Sequence, residues 1–297
     1  MTNDTTTLDP AESVAEAPAA DIARALTIAG SDSGGGAGIQ ADLKTFAAYG
    51  VYGTSAITAV TAQNTLGVAN WLAMPAELVV QQIDAVLGDI GADAVKTGML
   101  ANAAIIEAVA DALRRHSVTN LVVDPVMVAK GGHKLLEDAA IGALLRDLIP
   151  LALVLTPNLP EAEVLTKRTI ATWDDARAAA QQLFEMGAKH VVIKGGHFEH
   201  DPAATDLYFD GRHFHEFNSV RVKTRNTHGT GCTFASAIAA GLAKGVSVRD
   251  AVALAKSFVT LAMQHSYDIG QGHGPVHHFY RYWQPTGRRY RPGVRLG

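Results

Sequence analysis

Short apolar segments alternate with amphipathic segments along most of this chain, and this alternation constrains its fold more than any other feature. In the amphipathic segments the apolar residues recur every three to four positions, the spacing of one helix face. Strands that read as continuous apolar runs are buried on both faces, and strands that alternate with helices pair in parallel. The pattern predicts an α/β fold, a three-layer αβα sandwich around a mostly parallel sheet.

The alternation also predicts where the elements lie. The predicted strands are 25–29, 55–60, 94–96, 121–123, 153–155 and 190–193, and the predicted helices are 39–47, 78–90, 105–113, 174–186, 232–243 and 248–265. The Asp210-Gly211 pair within 207–215 predicts an antiparallel hairpin at the sheet edge. We expect one domain at 23–279, because no linker composition interrupts it. A disordered extension is expected at 1–22 and a basic, aromatic tail at 280–297.

Composition excludes several classes of protein. A formal net charge of -4 argues against a general nucleic-acid binder. A single cysteine cannot form an internal disulfide, and no apolar run approaches the roughly 18 residues of a membrane span. The first residues lack the basic start and apolar middle of a secretory signal. We therefore expect a cytoplasmic protein without nucleic-acid or membrane partners.

A glycine-rich turn that leads into a small-residue helix is the candidate for chemistry. It spans 226–240 and reads NTHGTGCTFASAIAA. Gly229 and Gly231 let a ligand approach the main chain closely, and the helix N-terminus offers free N–H groups and partial positive charge. Such a turn suits an anion, and a thiol at the position of Cys232 is expected to have a lowered pKa. The alternative is an ordinary glycine-containing start of a helix with a small buried cysteine.

Polar residues stand where the predicted strands end, at the edge where α/β sheets bind ligands. They are Asp32, Lys96, Asp124, Asn158 with Glu161, and Lys194. Phosphoryl transfer needs such a set: N–H donors and a cation for the phosphates, carboxylates for Mg²⁺, and a base for the attacking hydroxyl. Each residue alone also has an ordinary explanation, such as a turn at Asp124-Pro125 or a helix cap at Asn158.

Other common sites are not supported by the motifs. The chain has no G-x-x-x-x-G-K-[ST] sequence, and Gly34–Gly38 lacks the G-x-G-x-x-G spacing of dinucleotide-binding proteins. Its 12 histidines show no H-E-x-x-H or C-x-x-C context, so a zinc site is not expected.

Eight motifs, in order along 24–278, resemble one known family. They are GSDSGGGAGIQADLKTF at 30–46, TAQNT at 61–65, KTGML at 96–100, DPVM at 124–127, TPNLPE at 156–161, KGGH at 194–197, NTHGTGC at 226–232 and GHGPV at 272–276. Together they resemble the hydroxymethylpyrimidine/phosphomethylpyrimidine kinases of thiamine biosynthesis, within the ribokinase-like superfamily. The resemblance implies a kinase that uses ATP and Mg²⁺ to phosphorylate 4-amino-5-hydroxymethyl-2-methylpyrimidine and then its monophosphate.

The resemblance also implies roles for particular residues. It places an anion hole at Gly229, Thr230 and Gly231, and makes Cys232 the base that takes the hydroxyl proton. The implied pyrimidine-binding residues are Gln40, Met99, Val126 and Asp32. The implied ATP-binding residues are Lys194, Asn158 and Thr227, and the implied magnesium ligands, through water, are Asp124 and Glu161. Homodimers are usual in this family, so a homodimer is expected.

Two alternatives remain open from the sequence. Some relatives with the same cysteine turn phosphorylate pyridoxal, so a pyridoxal kinase is the nearest one. The other is a catalytically inactive binding or regulatory module on the same fold, which predicts loss of Asp124, Glu161, Lys194 or the glycine turn. All of these are present.

Overall fold

A computed structural model of the chain describes residues 21–127, 138–198 and 203–284, and one nine-stranded sheet runs through it. The strands are β1 (Arg24–Asp32), β2 (Tyr52–Asn64), β3 (Gly67–Ala73), β4 (Ala94–Thr97), β5 (Leu121–Val123), β6 (Val154–Leu155), β7 (His190–Lys194), β8 (Asp206–Phe209) and β9 (Phe214–Phe217). The helices are α1 (Gly38–Ala48), α2 (Ala76–Ala85), α3 (Ala103–Arg115), α4 (Asp138–Ala143), α5 (Leu159–Thr166), α6 (Trp173–Glu185), α7 (Thr230–Ala243) and α8 (Val248–Gln264).

The sheet order is β3-β2-β1-β4-β5-β6-β7-β8-β9. Six neighbouring strands of the sheet, β2, β1, β4, β5, β6 and β7, pair in parallel. Strand β3 at one edge and strands β8 and β9 at the other edge pair antiparallel. This confirms the mostly parallel sheet and the predicted hairpin around Asp210-Gly211. The hairpin of β2 and β3 was not predicted.

Alternation within the central strands creates two apolar cores, one on each face of the sheet. Leu26 and Ile28 face the core that contains α2 to α6, and Ala25 faces the core that contains α1, α7 and α8. The same division holds in β5, where Val122 faces one core and its two neighbours face the other. Every second side chain of a strand points to the same face, so continuous apolar strands support helices on both sides. The three-layer αβα sandwich is confirmed.

The strand order reverses beside β1. The chain passes from β1 to β2 and β3 on one side, and then crosses to β4 on the other side of β1. Such a switch point leaves a crevice beyond the carboxyl ends of the neighbouring strands, because the connecting loops diverge there. The topology therefore places a ligand site where β1 and β4 end.

The predicted domain boundaries are only partly covered by the described residues. Residues 1–20 and 285–297 lie outside them, so the predicted extension and most of the predicted tail do too. The first residues of that tail pack on the domain: Tyr280 is buried and stacks on His265, and the Tyr282 hydroxyl donates to the carbonyl oxygen of Ala48. None of the helices in the described part of the chain has the length and apolarity needed to cross a bilayer.

Candidate active site

A cavity of about 820 Å³ lies at the carboxyl ends of the parallel strands, beside the switch point. Twelve of the thirteen predicted site residues line it: Asp32, Met99, Asp124, Val126, Asn158, Glu161, Lys194, Thr227, Gly229, Thr230, Gly231 and Cys232. These residues come from the ends of five strands and from the start of α7, so they meet because parallel strands end at one edge. Gln40 does not line the cavity.

The turn before α7 is shaped for close approach to another loop. Gly229 caps the helix with φ of 79°, a left-handed conformation that favours glycine. A Cβ atom at this position would stand 1.8 Å from the carbonyl oxygen of Gly36, in the loop after β1. No side chain caps α7, so its N-terminus suits a bound anion, although the N–H of Thr230 already donates to the carbonyl oxygen of Thr227 at 3.4 Å. The anion site at this turn stays a prediction.

Cys232 lies in the first turn of α7 and is partly exposed to the cavity. Burial raises the pKa of its thiol to about 11, although Lys96 and the backbone N–H of Gly38 favour the thiolate. The buried carboxylates of Asp42 and Asp124 act in the same direction as burial. The expectation of a lowered pKa is therefore wrong, because burial and two carboxylates outweigh Lys96 and the backbone N–H of Gly38. The free protein carries a protonated thiol at neutral pH.

Beside Cys232 lies a buried network of polar side chains. Lys96 Nζ donates to both carboxylate oxygens of Asp42, at 3.0 and 2.9 Å. The hydroxyls of Thr27 and Ser236 donate to the same carboxylate at 2.6 Å each. All four residues are fully buried, and Ser236 stands one turn after Cys232 on α7. Burial opposes the charge of Lys96, but Asp42 outweighs it and raises the lysine pKa. Lys96 therefore places a fixed positive charge at the cavity wall.

A second set of charges lies where β5, β6 and β7 end. Lys194 Nζ is 2.9 Å from Asp124 Oδ1 and 4.0 Å from Glu161 Oε2. Burial opposes the charge of Lys194, but the two carboxylates raise its pKa. Burial raises the pKa of Glu161 to about 7, with Asp124 acting in the same direction and Lys194 against it. Gly231 approaches this set, since a Cβ there would be 3.5 Å from Lys194 Nζ.

Asn158 and Glu161 also form a helix cap. The Asn158 side chain accepts from the N–H of Glu161, and Glu161 Oε2 accepts from the N–H of Asn158. This reciprocal pair is a capping box at the start of α5. The ordinary explanation of this motif is therefore correct, and the same two residues line the cavity. The cap fixes Glu161 beside Lys194.

Asp32 organises the glycine-rich loop after β1. Its carboxylate accepts the N–H groups of Gly34, Gly36 and Ala37, and Oδ2 lies 2.8 Å from His228 Nε2. Burial would raise the pKa of Asp32, but the hydrogen bonds from His228 and the backbone outweigh it and lower the pKa. The predicted substrate-binding residue is thus an ionised carboxylate whose contacts tie the loop after β1 to the loop before α7.

Of the two glutamines close to the loop after β1, Gln63 lines the cavity and Gln40 does not. Gln40 Oε1 accepts from the N–H of Asp32, and Gln40 Nε2 donates to the hydroxyl of Ser31, so its amide is used within its own loop. Gln63 lines the cavity near His228. The structure therefore does not place Gln40 at the cavity, and its role stays a prediction. Gln63 belongs to the TAQNT motif at 61–65. The sequence therefore showed both glutamines in motifs of the family but did not show which of them lines the cavity.

The cavity is also lined by residues that the sequence did not indicate. Asp206 on β8 and Lys256 on α8 form an ion pair of 2.8 Å, and Asp206 also accepts the N–H of Gly195. Burial raises the pKa of Asp206 even against Lys256. Thr260 and Met263, on the same helix as Lys256, line the cavity as well. Lys256 and Asp206 are 50 residues apart in the chain, so no local motif joins them.

Comparison with known proteins identifies the family of the chain. The sequence model of the phosphomethylpyrimidine kinase family matches residues 32–277. A hydroxymethylpyrimidine/phosphomethylpyrimidine kinase of Bacillus subtilis is 54% identical over 258 residues, which are 87% of this chain and 95% of that protein.

Two solved structures are similar over most of the chain. A phosphomethylpyrimidine kinase of Clostridium difficile is 43% identical with a TM-score of 0.73, covering 81% of this chain and 99% of that one. A pyridoxal kinase of Staphylococcus aureus, in complex with AMP-PCP and pyridoxal, is 37% identical with a TM-score of 0.81, covering 89% and 96%. Because the family model matches most of the chain and the relatives are similar over most of their length, this chain belongs to the phosphomethylpyrimidine kinase family.

Proposed function

We propose that this protein transfers the γ-phosphoryl group of ATP to the hydroxymethyl group of 4-amino-5-hydroxymethyl-2-methylpyrimidine, and then phosphorylates the monophosphate to the diphosphate. Family membership and the names of the relatives support the reaction. The observation that carries it is the single cavity that holds the anion turn with Cys232, the Lys194 cluster and the Gln63 amide. These groups supply a phosphate site and a recognition group for a polar ring.

At the acceptor end, Gln63 contacts the pyrimidine through its amide, and Met99 and Val126 cover the ring. An amide offers both a donor and an acceptor, which suits the edge of an aminopyrimidine. Met99 is 9% exposed and its sulfur lies close to Gly30, so it forms a packed wall and not a mobile flap. Asp32 acts indirectly, because its carboxylate holds the glycine-rich loop after β1 in place.

At the phosphate end, the N–H groups of the Gly229–Gly231 turn and the ammonium of Lys194 stabilise the charge of the transferred group. Thr230, Thr227 and Asn158 line the path of the phosphates. The nucleoside part of ATP is proposed to occupy the end near Asp206, Lys256 and Thr260. Kinase relatives solved with AMP-PCP support a nucleotide in this cavity.

Asp124 and Glu161 fit Mg²⁺ in combination with phosphates. The described residues include no cluster of three or more acidic, histidine or cysteine side chains suited to a metal. Mg²⁺ is commonly held by only one or two carboxylates, with phosphate oxygens and water completing its shell. The two carboxylates match that donor set, and Lys194, which pairs with Asp124 at 2.9 Å, is proposed to contact a phosphate. When bound, Mg²⁺ supplies charge neutralisation on the phosphates.

Cys232 is placed to accept the proton of the attacking hydroxyl at the end of the anion turn. Because its pKa is about 11, the thiol is protonated at neutral pH and must first release its proton to solvent, which leaves a thiolate that is a strong base. Lys96 stabilises the anion when it forms. In the second step the acceptor is a phosphate monoester, which is already mostly ionised at neutral pH because its second pKa is near 6. The second step therefore needs the base less than the first.

A steady-state assay of ATP consumption with product identification tests the function. The acceptors are the hydroxymethylpyrimidine, its monophosphate and pyridoxal, each with Mg²⁺. We expect turnover on both pyrimidines with formation of the diphosphate. Turnover on pyridoxal alone would contradict the proposal and would assign the site to pyridoxal phosphorylation, the activity named for structurally similar relatives.

Three further proposals do not rest on the contacts described above. We propose a homodimer, a cytoplasmic location, and a kinase domain that spans 23–279. Light scattering of the purified chain tests the first, cell fractionation the second, and limited proteolysis the third.

A further inference from the structure

The hairpin of β2 and β3 exposes large apolar side chains at one edge of the sheet. Val60 and Leu72 stand directly opposite each other in the register of the two strands, so they lie on the same face, and they are 47% and 71% exposed. Leu66, in the turn between the strands, is 68% exposed. Leu72 and Leu66 are the two most exposed large apolar residues of the described part of the chain. Adjoining exposed apolar residues of this kind mark interaction surfaces.

The cavity does not account for this exposure. Thr61 and Gln63 of β2 and Val68 of β3 line the cavity, whereas Val60 and Leu72 do not. Successive side chains of a strand point to opposite faces of the sheet. The exposed apolar residues therefore lie on the back of the cavity wall, on what we call the outer face of the hairpin.

The hairpin also lacks the charges that usually protect the edge of a sheet. Residues 52–73 include no Asp, Glu, Lys, Arg or His. At the opposite edge, the β8–β9 hairpin exposes Arg212, His213 and Glu216, and Glu216 pairs with Arg177 at 3.0 Å. Charged side chains on an edge oppose its association with other chains. One edge of the sheet thus carries this protection and the other does not, as expected if a partner covers the β2–β3 edge.

The absence of charge limits what the partner can be. Residues 1–20 of this chain carry four acidic side chains, and residues 285–297 carry four arginines. Either segment would bring charges to a face that offers no counter-ion, and burying an unpaired charge is costly. An anionic lipid surface attracts lysine and arginine, which are absent from 52–73. A second copy of this chain brings the same uncharged, apolar face, and a two-fold axis places that face on itself.

We propose that the outer face of the β2–β3 hairpin, centred on Val60 and Leu72, is the interface between two copies of this chain. Asn70 and Ala62 are opposite each other on the same face and are exposed, so a polar side chain borders the apolar centre. This inference assigns a surface to the proposed homodimer, and it does not depend on the proposed reaction. A two-fold axis repeats every contact, so one substitution in this face enters the interface twice.

Sedimentation velocity over a wide range of protein concentrations tests the interface. We expect the wild type to be a dimer. Leu72→Lys sets two ammonium groups close together at the centre of the interface and should raise the Kd of the dimer at least about tenfold. Because Leu72 is exposed in the single copy, this change should leave the circular dichroism spectrum unaltered.

His213→Lys is the matched control, because it adds the same charge to the other edge hairpin, where the side chain is 72% exposed. It should leave the Kd of the dimer unchanged. Val60→Lys repeats the test from β2 and serves if Leu72→Lys does not fold. A monomeric wild type, or a dimer that is as tight in Leu72→Lys and Val60→Lys as in the wild type, would overturn the interface. Neither result would affect the proposed function, which fails only if the wild type does not phosphorylate the pyrimidines.

Discussion

Replacing Lys96 with methionine should destabilise the protein strongly, because it leaves a buried carboxylate without its counter-ion. Asp42 is fully buried and accepts four hydrogen bonds, two of them from the Lys96 ammonium. In Lys96→Met only the hydroxyls of Thr27 and Ser236 remain to solvate that charge. Breaking one partner of a buried ion pair costs about 3–5 kcal/mol. For a domain of this size that corresponds to a fall in Tm of roughly 10 °C.

Urea denaturation followed by circular dichroism measures the change in the free energy of unfolding, with thermal melts as a second readout. Arg114→Met is the matched control, since Arg114 pairs with Asp111 at the surface with both side chains well exposed. It should change stability little, because exposed pairs contribute little. The double variant Asp42→Asn/Lys96→Met removes both charges and should recover more than half of the loss. A loss below about 1 kcal/mol in Lys96→Met, or no recovery in the double variant, would refute the argument.

Three further predictions concern the catalytic turn. Gly229→Ala should abolish most activity and lower Tm more than Gly245→Ala, since both glycines have positive φ but only Gly229 is blocked, by Gly36; equal losses in Tm would contradict this. Alkylation of Cys232, the only cysteine, should be roughly a hundredfold slower at pH 8 than alkylation of a free thiol, because burial raises the pKa of Cys232. The alkylation rate should rise toward pH 11, and a rate that reaches its plateau near pH 8 would contradict this. Cys232→Ala should impair the first phosphorylation more than the second, as measured by product-resolved kinetics; equal losses would count against the thiol as base.

The positions of the site residues were largely predictable, because the end of each buried strand can be recognised in the sequence. Each buried strand is a short apolar run, so the polar residue that follows it, such as Asp124 or Lys194, falls at the carboxyl edge of the sheet. Parallel pairing then brings these residues together without further information. The β2–β3 hairpin was missed because β3 is mostly exposed and lacks an apolar run.

What failed depended on contacts that are distant in sequence or on competition for hydrogen bonds. Gln40 and Gln63 are both amides in recognisable motifs, and only the folded loop shows that the amide of Gln40 is used by Ser31 and Asp32. From the local sequence alone, the helix N-terminus is expected to lower the pKa of Cys232. In the fold, burial and two carboxylates from other elements raise that pKa instead.

The contact between the loops at Asp32 and His228 has a consequence for folding during synthesis on the ribosome. These residues are 196 positions apart, Asp42 and Ser236 are 194 apart, and Thr65 bonds Gly272 across 207 positions. Contacts at such separations form late, because the intervening chain has to be ordered first. A nascent chain that has already built β1 to β7 still lacks its anion turn, so ATP or a pyrimidine has no complete site to bind before almost the entire domain has left the ribosome. Ligands of this enzyme should therefore stabilise the finished protein without assisting its early folding intermediates.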